Sequence, residues 1–369
     1  MNKYGTHKTI ILLLIAFFSI SGQSLAQTGT VRGFVYERET GEPVIFTNVY
    51  FRGTSIGAAT DVNGYYVISR IPPGEYTLLV TSMGHDSLSM PLTIKANDVL
   101  TKNLYLETSS VMLDAVQISA RREEAQTETQ TSVVKITPRQ IRQLPTFGGQ
   151  ADLAQYLQVL PGVIFTGDQG GQLYIRGGPP IQNKVLLDGM TIYNPFHSIG
   201  LFSVFDTDIL RNVDVYTGGF NAEYGGRISS VMDLTTRDGN RNRFAGKVDA
   251  STLGAKLLLE GPIVRLNENR PDDFSSSFIL SVKNSYLRKS SELFYNYIDS
   301  EGLPYNFLDI YSKVSIHAGS GTRFNLFGFR FQDDVNYRLV SEFDWDTWGG
   351  GMNFVVIPGK TPALLEGST

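Results

Sequence analysis

The sequence predicts a mainly β chain in three parts: an N-terminal β-sandwich, an α+β domain in the middle, and the first strands of an incomplete antiparallel transmembrane β-barrel. Three observations carry this expectation. Short apolar runs separated by turn residues fill residues 29–106, glycine pairs with Asp-Gly and Asn-Pro turns punctuate residues 173–227, and apolar and polar residues alternate along strand-length segments after residue 238. The composition agrees, since 37 Gly, 22 Phe and 18 Tyr favour turns and strands over helical bundles.

With 369 residues, 41% of them hydrophobic, the chain can fill two or three packed cores. Its formal charge is -4, and -6 once a leader carrying Lys3 and Lys8 is removed, so it lacks the basic face that a nucleic-acid partner demands. Cysteine is absent, which excludes a disulfide framework, a thiolate metal site and a lipid-modified N-terminal cysteine.

Residues 1–26 combine Lys3 and Lys8, an 11-residue apolar run over 10–20 and the small-residue end Ser24-Leu-Ala26, the pattern of a cleaved secretory signal. That run is too short to span a bilayer. No other apolar run is long enough for a helical span, so any crossing must use strands.

Residues 27–107 form the expected sandwich, its strands reversing at Thr40-Gly-Glu-Pro43, Asp61-Val-Asn-Gly64 and Pro72-Pro-Gly74. Gly53-Thr-Ser-Ile-Gly57 matches a nucleophile elbow, but a hairpin follows it where that motif needs a helix. Asp61, Asn63 and Gly64 echo a calcium loop with no acidic residue to close it, so an Asx turn is expected. The histidines His7, His85, His197 and His317 make no zinc-binding pair and no nucleophile stands out; neither an enzyme nor a cofactor is expected.

Residues 108–132 read as a polar linker that contains one isolated apolar segment: Leu113, Asp114, Ala115, Val116, Gln117, Ile118, Ser119 and Ala120. The middle domain, residues 133–238, opens on a capping box at Thr137 and Gln140 with Pro138 at the first helical position. A second helix follows from Leu153, Leu157 and Leu160 on one face, stopped by Pro161-Gly162. Arg176, Asp188 and Arg227 sit among glycine and apolar neighbours and are candidates for buried charges.

Residues 239–369 are expected to form barrel strands. Ile310, Ser312, Val314 and Ile316 oppose Tyr311, Lys313, Ser315 and His317, while Phe327, Phe329 and Phe331 oppose Gly328, Arg330 and Gln332; one face would meet lipid and the other water. Tyr305, Tyr337, Trp345 and Trp348 are placed for interfacial girdles. These 131 residues suffice for roughly six or seven strands, whereas a barrel wide enough to hold a domain needs about 22. The chain is therefore expected to end mid-barrel, as a fragment.

Four pieces in order, Leu160-Pro-Gly-Val163, Ile175-Arg-Gly-Gly178, Leu187-Asp-Gly189 and Glu223-Tyr-Gly-Gly-Arg227 followed by residues 231–237, resemble the plug domain of TonB-dependent outer-membrane receptors. Residues 53–66 and 72–78 resemble a carboxypeptidase regulatory-like domain, a non-catalytic module that forms a periplasmic extension in such receptors. The resemblance implies TonB-dependent import of a scarce nutrient (siderophore, vitamin or oligosaccharide) across the outer membrane. It makes residues 113–120 similar to the TonB box that pairs with TonB, itself energised by ExbB and ExbD, and leaves a surface lipoprotein partner open. Arg176, Asp188 and Arg227 are expected to pair with each other or with the inner barrel wall, and the resemblance implies that Gln169, Asn194, Phe196 and His197 face ligand. The import reading requires residues 173–227 to fold apart from the strands that follow. A secreted or surface β-sandwich binding or adhesion module is the alternative.

Overall fold

The computed structural model describes residues 28–109, 133–146, 149–166, 172–198, 200, 202–267, 270, 273–294, 302–318, 321–337, 341–358 and 363–369. The signal segment and residues 113–120 lie outside the described residues.

The N-terminal part is a sandwich of two sheets. In the first, β1 (Gly29–Glu37) is central; in the second, β2 (Asn48–Phe51) pairs with β3 (Gly57–Ala59). β4 (Tyr65–Ile71) runs antiparallel to β1, and β5 (Gly74–Thr81) joins β2 to β6 (Leu88–Ile94). The short β7 (Val99–Thr101) and β8 (Leu104–Leu106) add in parallel along β1. Period-two alternation turns Val31, Val49, Phe51, Ile68, Leu78 and Val80 inward, where they are fully or nearly fully buried in one core.

The turns are built as their residues dictate. Asp61 Oδ1 accepts from the amides of Asn63 and Tyr65, both at 2.8 Å, which makes this loop an Asx turn. Gly64 sits there at φ 76°, and a side chain would strike Pro43 and the Val35 carbonyl.

The middle domain has a five-stranded sheet in the order β13-β12-β15-β14-β9. It comprises β9 (Val133–Ile136), β12 (Asn183–Leu187), β13 (Met190–Thr191), β14 (Leu210–Tyr216) and β15 (Ser230–Thr236), with a separate hairpin of β10 (Val163–Thr166) and β11 (Gln172–Ile175). Two short helices cover it. α1 (Pro138–Arg142) starts where the Thr137 amide donates to Gln140 Oε1 at 2.7 Å; α2 (Leu153–Leu157) starts where Asp152 accepts from the Ala154 amide at 2.8 Å.

The third part is a seven-stranded antiparallel meander, β16 (Ala245–Ala250), β17 (Gly254–Val264), β18 (Ser275–Ser285), β19 (Tyr305–His317), β20 (Arg323–Tyr337), β21 (Ser341–Val356) and β22 (Leu365–Ser368). β16 and β22 are open edges of this sheet. Helix α3 (Leu287–Phe294) lies in the connection between β18 and β19. The meander shares no strand with the middle sheet, which rests against one of its faces through Leu258, Ile279, Tyr311, Phe327, Phe329 and Phe331. No helix of the described residues is long and apolar enough to cross a membrane.

The facing of the meander departs from expectation in one strand. β19 turns Tyr311, Lys313, Ser315 and His317 toward the middle domain and Ile310, Val314 and Ile316 away from it, as the alternation predicts. β20 does the reverse of what a lipid-facing phenylalanine row demands: Phe327, Phe329 and Phe331 are buried, while Leu326 and Arg330 point outward. The reason is the surface they meet. Phe331 stands edge-on to Phe205 of the middle domain, 6.3 Å between ring centroids, and stacks on Phe329. Outward-facing Arg330 is matched by Asp346 on the neighbouring strand at 2.7 Å. The girdle expectation also fails for Trp345 and Tyr305. Trp345 packs against the buried core and Tyr305 against Phe202, Leu287 and Phe307, whereas Trp348 is exposed.

Two outcomes test the sandwich. Phe51→Ala empties the centre of its core and should cost about 3–5 kcal/mol in urea denaturation of the domain. Glu37 gives the pH dependence: the His85 imidazole at 3.6 Å, helped by the hydroxyls of Thr40 and Thr108, lowers its carboxyl to about 2 in spite of burial. A carboxylate depressed in the folded state stabilises it above the unfolded value of 4.5 and loses that effect as pH falls toward 2. The melting temperature should drop across that window in the wild type and drop less in Glu37→Gln.

Candidate functional site

The chemistry of this chain lies where the middle domain meets the meander, because buried charges concentrate there. At its centre is Asp238, two residues past the end of β15 and only 1% exposed. Its carboxylate meets Lys313 Nζ at 3.1 Å and Arg323 Nη1 at 3.3 Å from the meander, and Arg211 Nη2 at 3.1 Å from β14; Ser315 Oγ donates to it at 3.0 Å. Arg211 also reaches Glu42 of the sandwich at 3.3 Å. Burial pushes the Glu42 carboxyl up to about 7 against the pull of Arg211. One node thus joins all three parts.

A second set begins at Asp188, in the turn after β12. It holds φ 51°, and its carboxylate accepts from Thr236 Oγ1 in its own sheet and from the Tyr311 hydroxyl of the meander, each at 2.6 Å. Lys313 closes the set by donating to the Thr236 carbonyl at 3.1 Å. A third uses the loop before β14. Asp206 and Asp208 grip Lys256 Nζ of β17 at 2.9 and 2.6 Å, Asp208 also takes Lys247 and Arg142, and Arg237 forks onto Glu260 at 2.6 and 2.9 Å. Burial raises the Asp208 carboxyl, but Lys256 and Lys247 outweigh it and hold it well below the usual range.

The fourth set surrounds His197, which has no exposed surface. Its Nε2 lies 2.9 Å from Asp309 and its Nδ1 3.6 Å from Asp333, its ring stacks on Phe307 at 4.0 Å, and the Ser198 amide donates to Asp333 at 2.7 Å. Burial lowers the imidazole pKa, yet the Asp309 carboxylate, with Asp333, carries it above the ordinary 6.5.

These positions revise several site expectations. Asp188 touches the meander through Tyr311. Arg176 does not: it is exposed at a left-handed turn, its amide held by the Gly162 carbonyl at 2.8 Å and its guanidinium alongside Gly218 of its own domain. Arg227 is half-buried and donates to the neighbouring Gly226 carbonyl. Asn194 is exposed, but His197 is buried against the meander and Phe196 is buried edge-on to Phe165 of its own domain. Gln169 lies outside the described residues.

Sequence reading missed Asp206, Asp208, Arg211 and Asp238 on the plug side and, on the wall, Lys256, which meets Asp206 and Asp208, Lys283, and the His197 partners Asp309 and Asp333. The signal for the wall residues was the inward register that they share with Tyr311. Among the described residues no group of three or more metal-ligating side chains is placed to hold a metal ion.

Residues 31–118 match the CarboxypepD_reg-like domain and residues 125–231 the TonB-dependent Receptor Plug Domain. The TonB-dependent receptor SusC of Bacteroides thetaiotaomicron is 28% identical over 253 residues, 66% of this chain and 24% of SusC. The TonB-dependent transporter Oar of Myxococcus xanthus is 24% identical over 240 residues, 62% of this chain and 22% of Oar. The chain therefore spans about a quarter of the length of these relatives. Among solved structures, the ferric enterobactin receptor PfeA of Pseudomonas aeruginosa superimposes with a TM-score of 0.42 at 16% identity, covering 63% of this chain and 39% of PfeA. The relatives are named receptors and a transporter, none an enzyme. The chain thus carries, in order, a carboxypeptidase regulatory-like domain, the plug domain of TonB-dependent receptors and the strands of a wall.

Proposed function

We propose that this chain is the N-terminal part of an outer-membrane active transporter for a scarce nutrient, a siderophore, vitamin or oligosaccharide, with the sandwich on the periplasmic side. The observation that carries the reading is the junction just described. A plug with its own sheet is held against one face of a separate strand wall by ionic contacts, while the opposite face of that wall exposes Val248, Phe324, Leu326, Trp348 and Met352. That face suits lipid.

Ligand binds on the far side from the sandwich. Residues 113–120 then pair with TonB by strand addition, since main-chain groups of an extended tethered segment can add to a sheet edge with little demand on side chains. Force from TonB, energised by ExbB and ExbD, shifts the plug. No covalent step is needed. Buried ion pairs suit this role because each resists partial displacement but offers no continuous hydrogen-bond ladder to unzip.

Deleting residues 113–120 from the full-length receptor should leave ligand binding at the wild-type level and abolish energised uptake, measured with labelled ligand in whole cells; uptake that persists refutes the assignment. Asp238→Asn leaves Arg211, Lys313 and Arg323 facing one another without their shared anion. It should destabilise plug seating by about 3–5 kcal/mol, read as faster amide exchange in β14 and β15.

A further inference from the structure

We propose that the cleft between the sandwich and the adjacent rim of the wall binds the phosphate of a membrane lipid headgroup. The inference rests on the reading that the wall spans a membrane. The cleft has a volume of about 430 Å³, within the range of small-molecule sites, and is lined by Arg38, Glu39 and Tyr105 from the sandwich and by Asn242, Arg243 and Arg265 from the wall. Three guanidinium groups against one carboxylate leave it cationic.

Arg38 is partly engaged by Glu107 at 3.6 Å, but Arg243 and Arg265 have no carboxylate within 4 Å among the described residues. Their backbone is nevertheless fixed. Asn240 Oδ1 accepts from the amides of Asn242 and Arg243 at 2.8 and 3.0 Å, and the Leu266 amide donates to the Arg241 carbonyl at 3.0 Å. Asn242 closes the far side by donating to the Arg38 and Glu39 carbonyls at 3.0 and 2.8 Å. Two unmatched forked donors on a fixed frame suit bidentate contact with phosphate oxygens.

What makes the ligand a lipid is the neighbouring surface. Each free arginine follows or precedes an exposed apolar residue: Phe244 is 73% exposed beside Arg243, and Val264 is 41% and Ile263 58% exposed beside Arg265. Phe274, at the start of the next strand, is 53% exposed on the same rim. A cation row bordering an apolar collar is the surface that a headgroup and its acyl chains match together, whereas free phosphate would use the cations alone.

The test uses the full-length receptor in detergent, exchanged against mixed micelles containing phosphatidylglycerol, with retained lipid counted by native mass spectrometry. Wild type should retain phosphatidylglycerol on the order of tenfold more tightly than R243A/R265A. The charge-keeping variant R243K/R265K should fall between them, and the control R52A/R70A, which removes two exposed arginines elsewhere on the sandwich, should match wild type. Inorganic phosphate at equal concentration should not displace the lipid. Equal retention by wild type and R243A/R265A overturns the proposal, as does full displacement by inorganic phosphate, which would make the cleft a plain anion site. Recovery of the receptor without detergent overturns the membrane reading as well, whereas detergent-dependent recovery with no retained lipid overturns this proposal alone.

Discussion

The structure turns on one buried carboxylate. Asp238 sits where the chain leaves the plug sheet and enters the wall, and it is shared by cations of both: Arg211 from β14, Lys313 and Arg323 from β19 and β20. An ion buried this deeply is tolerated only when partners surround it, since the desolvation cost of an unmatched charge in a protein interior is several kcal/mol. The plug cannot shift by a strand register without exposing that mismatch. The sandwich is drawn into the same arrangement by Glu42, which supplies Arg211 with a second carboxyl partner, and by Asn63, which takes a hydrogen bond from Arg323. Position in all three parts is therefore coupled through charge, not through a common sheet.

The same constraint explains the wall's inner face. A strand wall around water would carry polar residues inward throughout, but this wall faces a packed domain. Its inner register therefore alternates by neighbour: Lys256, Lys283, Asp309 and Lys313 where the plug offers acids, histidine or carbonyls, and Phe327, Phe329 and Phe331 where it offers Phe205 and the apolar plug core. The outer register is apolar at Ile310, Val314, Ile316, Phe324 and Leu326 and turns polar toward the other end of β20 and β21, at Arg330, Gln332, Asp334, Asp344 and Asp346.

Much of this was legible in the residues, for identifiable reasons. The Asx turn at Asp61, the capping box at Thr137 and the stop at Pro161-Gly162 are local devices, and local chemistry decides them. The plug motifs were legible as spacing. What could not be read is anything decided across the plug and wall interface. Arg176 and Asp188 both stand beside a glycine in a left-handed turn, at φ 49° and 51°, and only the fold shows that one lies along its own domain and the other reaches Tyr311. His197 is the sharper case. In sequence it follows a turn, Asn194-Pro195, and resembles a loop residue, but the two carboxylates that surround it lie more than a hundred positions away. The β20 phenylalanines failed for the same reason, because alternation shows which residues share a face but not which face meets lipid.

The order of the plug sheet bears on how an import cycle could begin. β9 directly follows the linker that holds residues 113–120, and among the described residues it is an edge strand paired with β14, over four residues. Three of those four are only half-buried; Ile136 alone is in the core. A pull arriving through the linker would therefore load this short edge ladder of the plug first. The charged sets lie deeper, on β14, β15 and the loop between β13 and β14, so an edge strand can peel before any buried ion pair must part. Beyond β9 the tension would reach β14, and with it Arg211, whose two carboxyl partners belong to the junction and to the sandwich. Displacing β14 thus opens the Asp238 node and loosens the sandwich in the same step, because one guanidinium serves both.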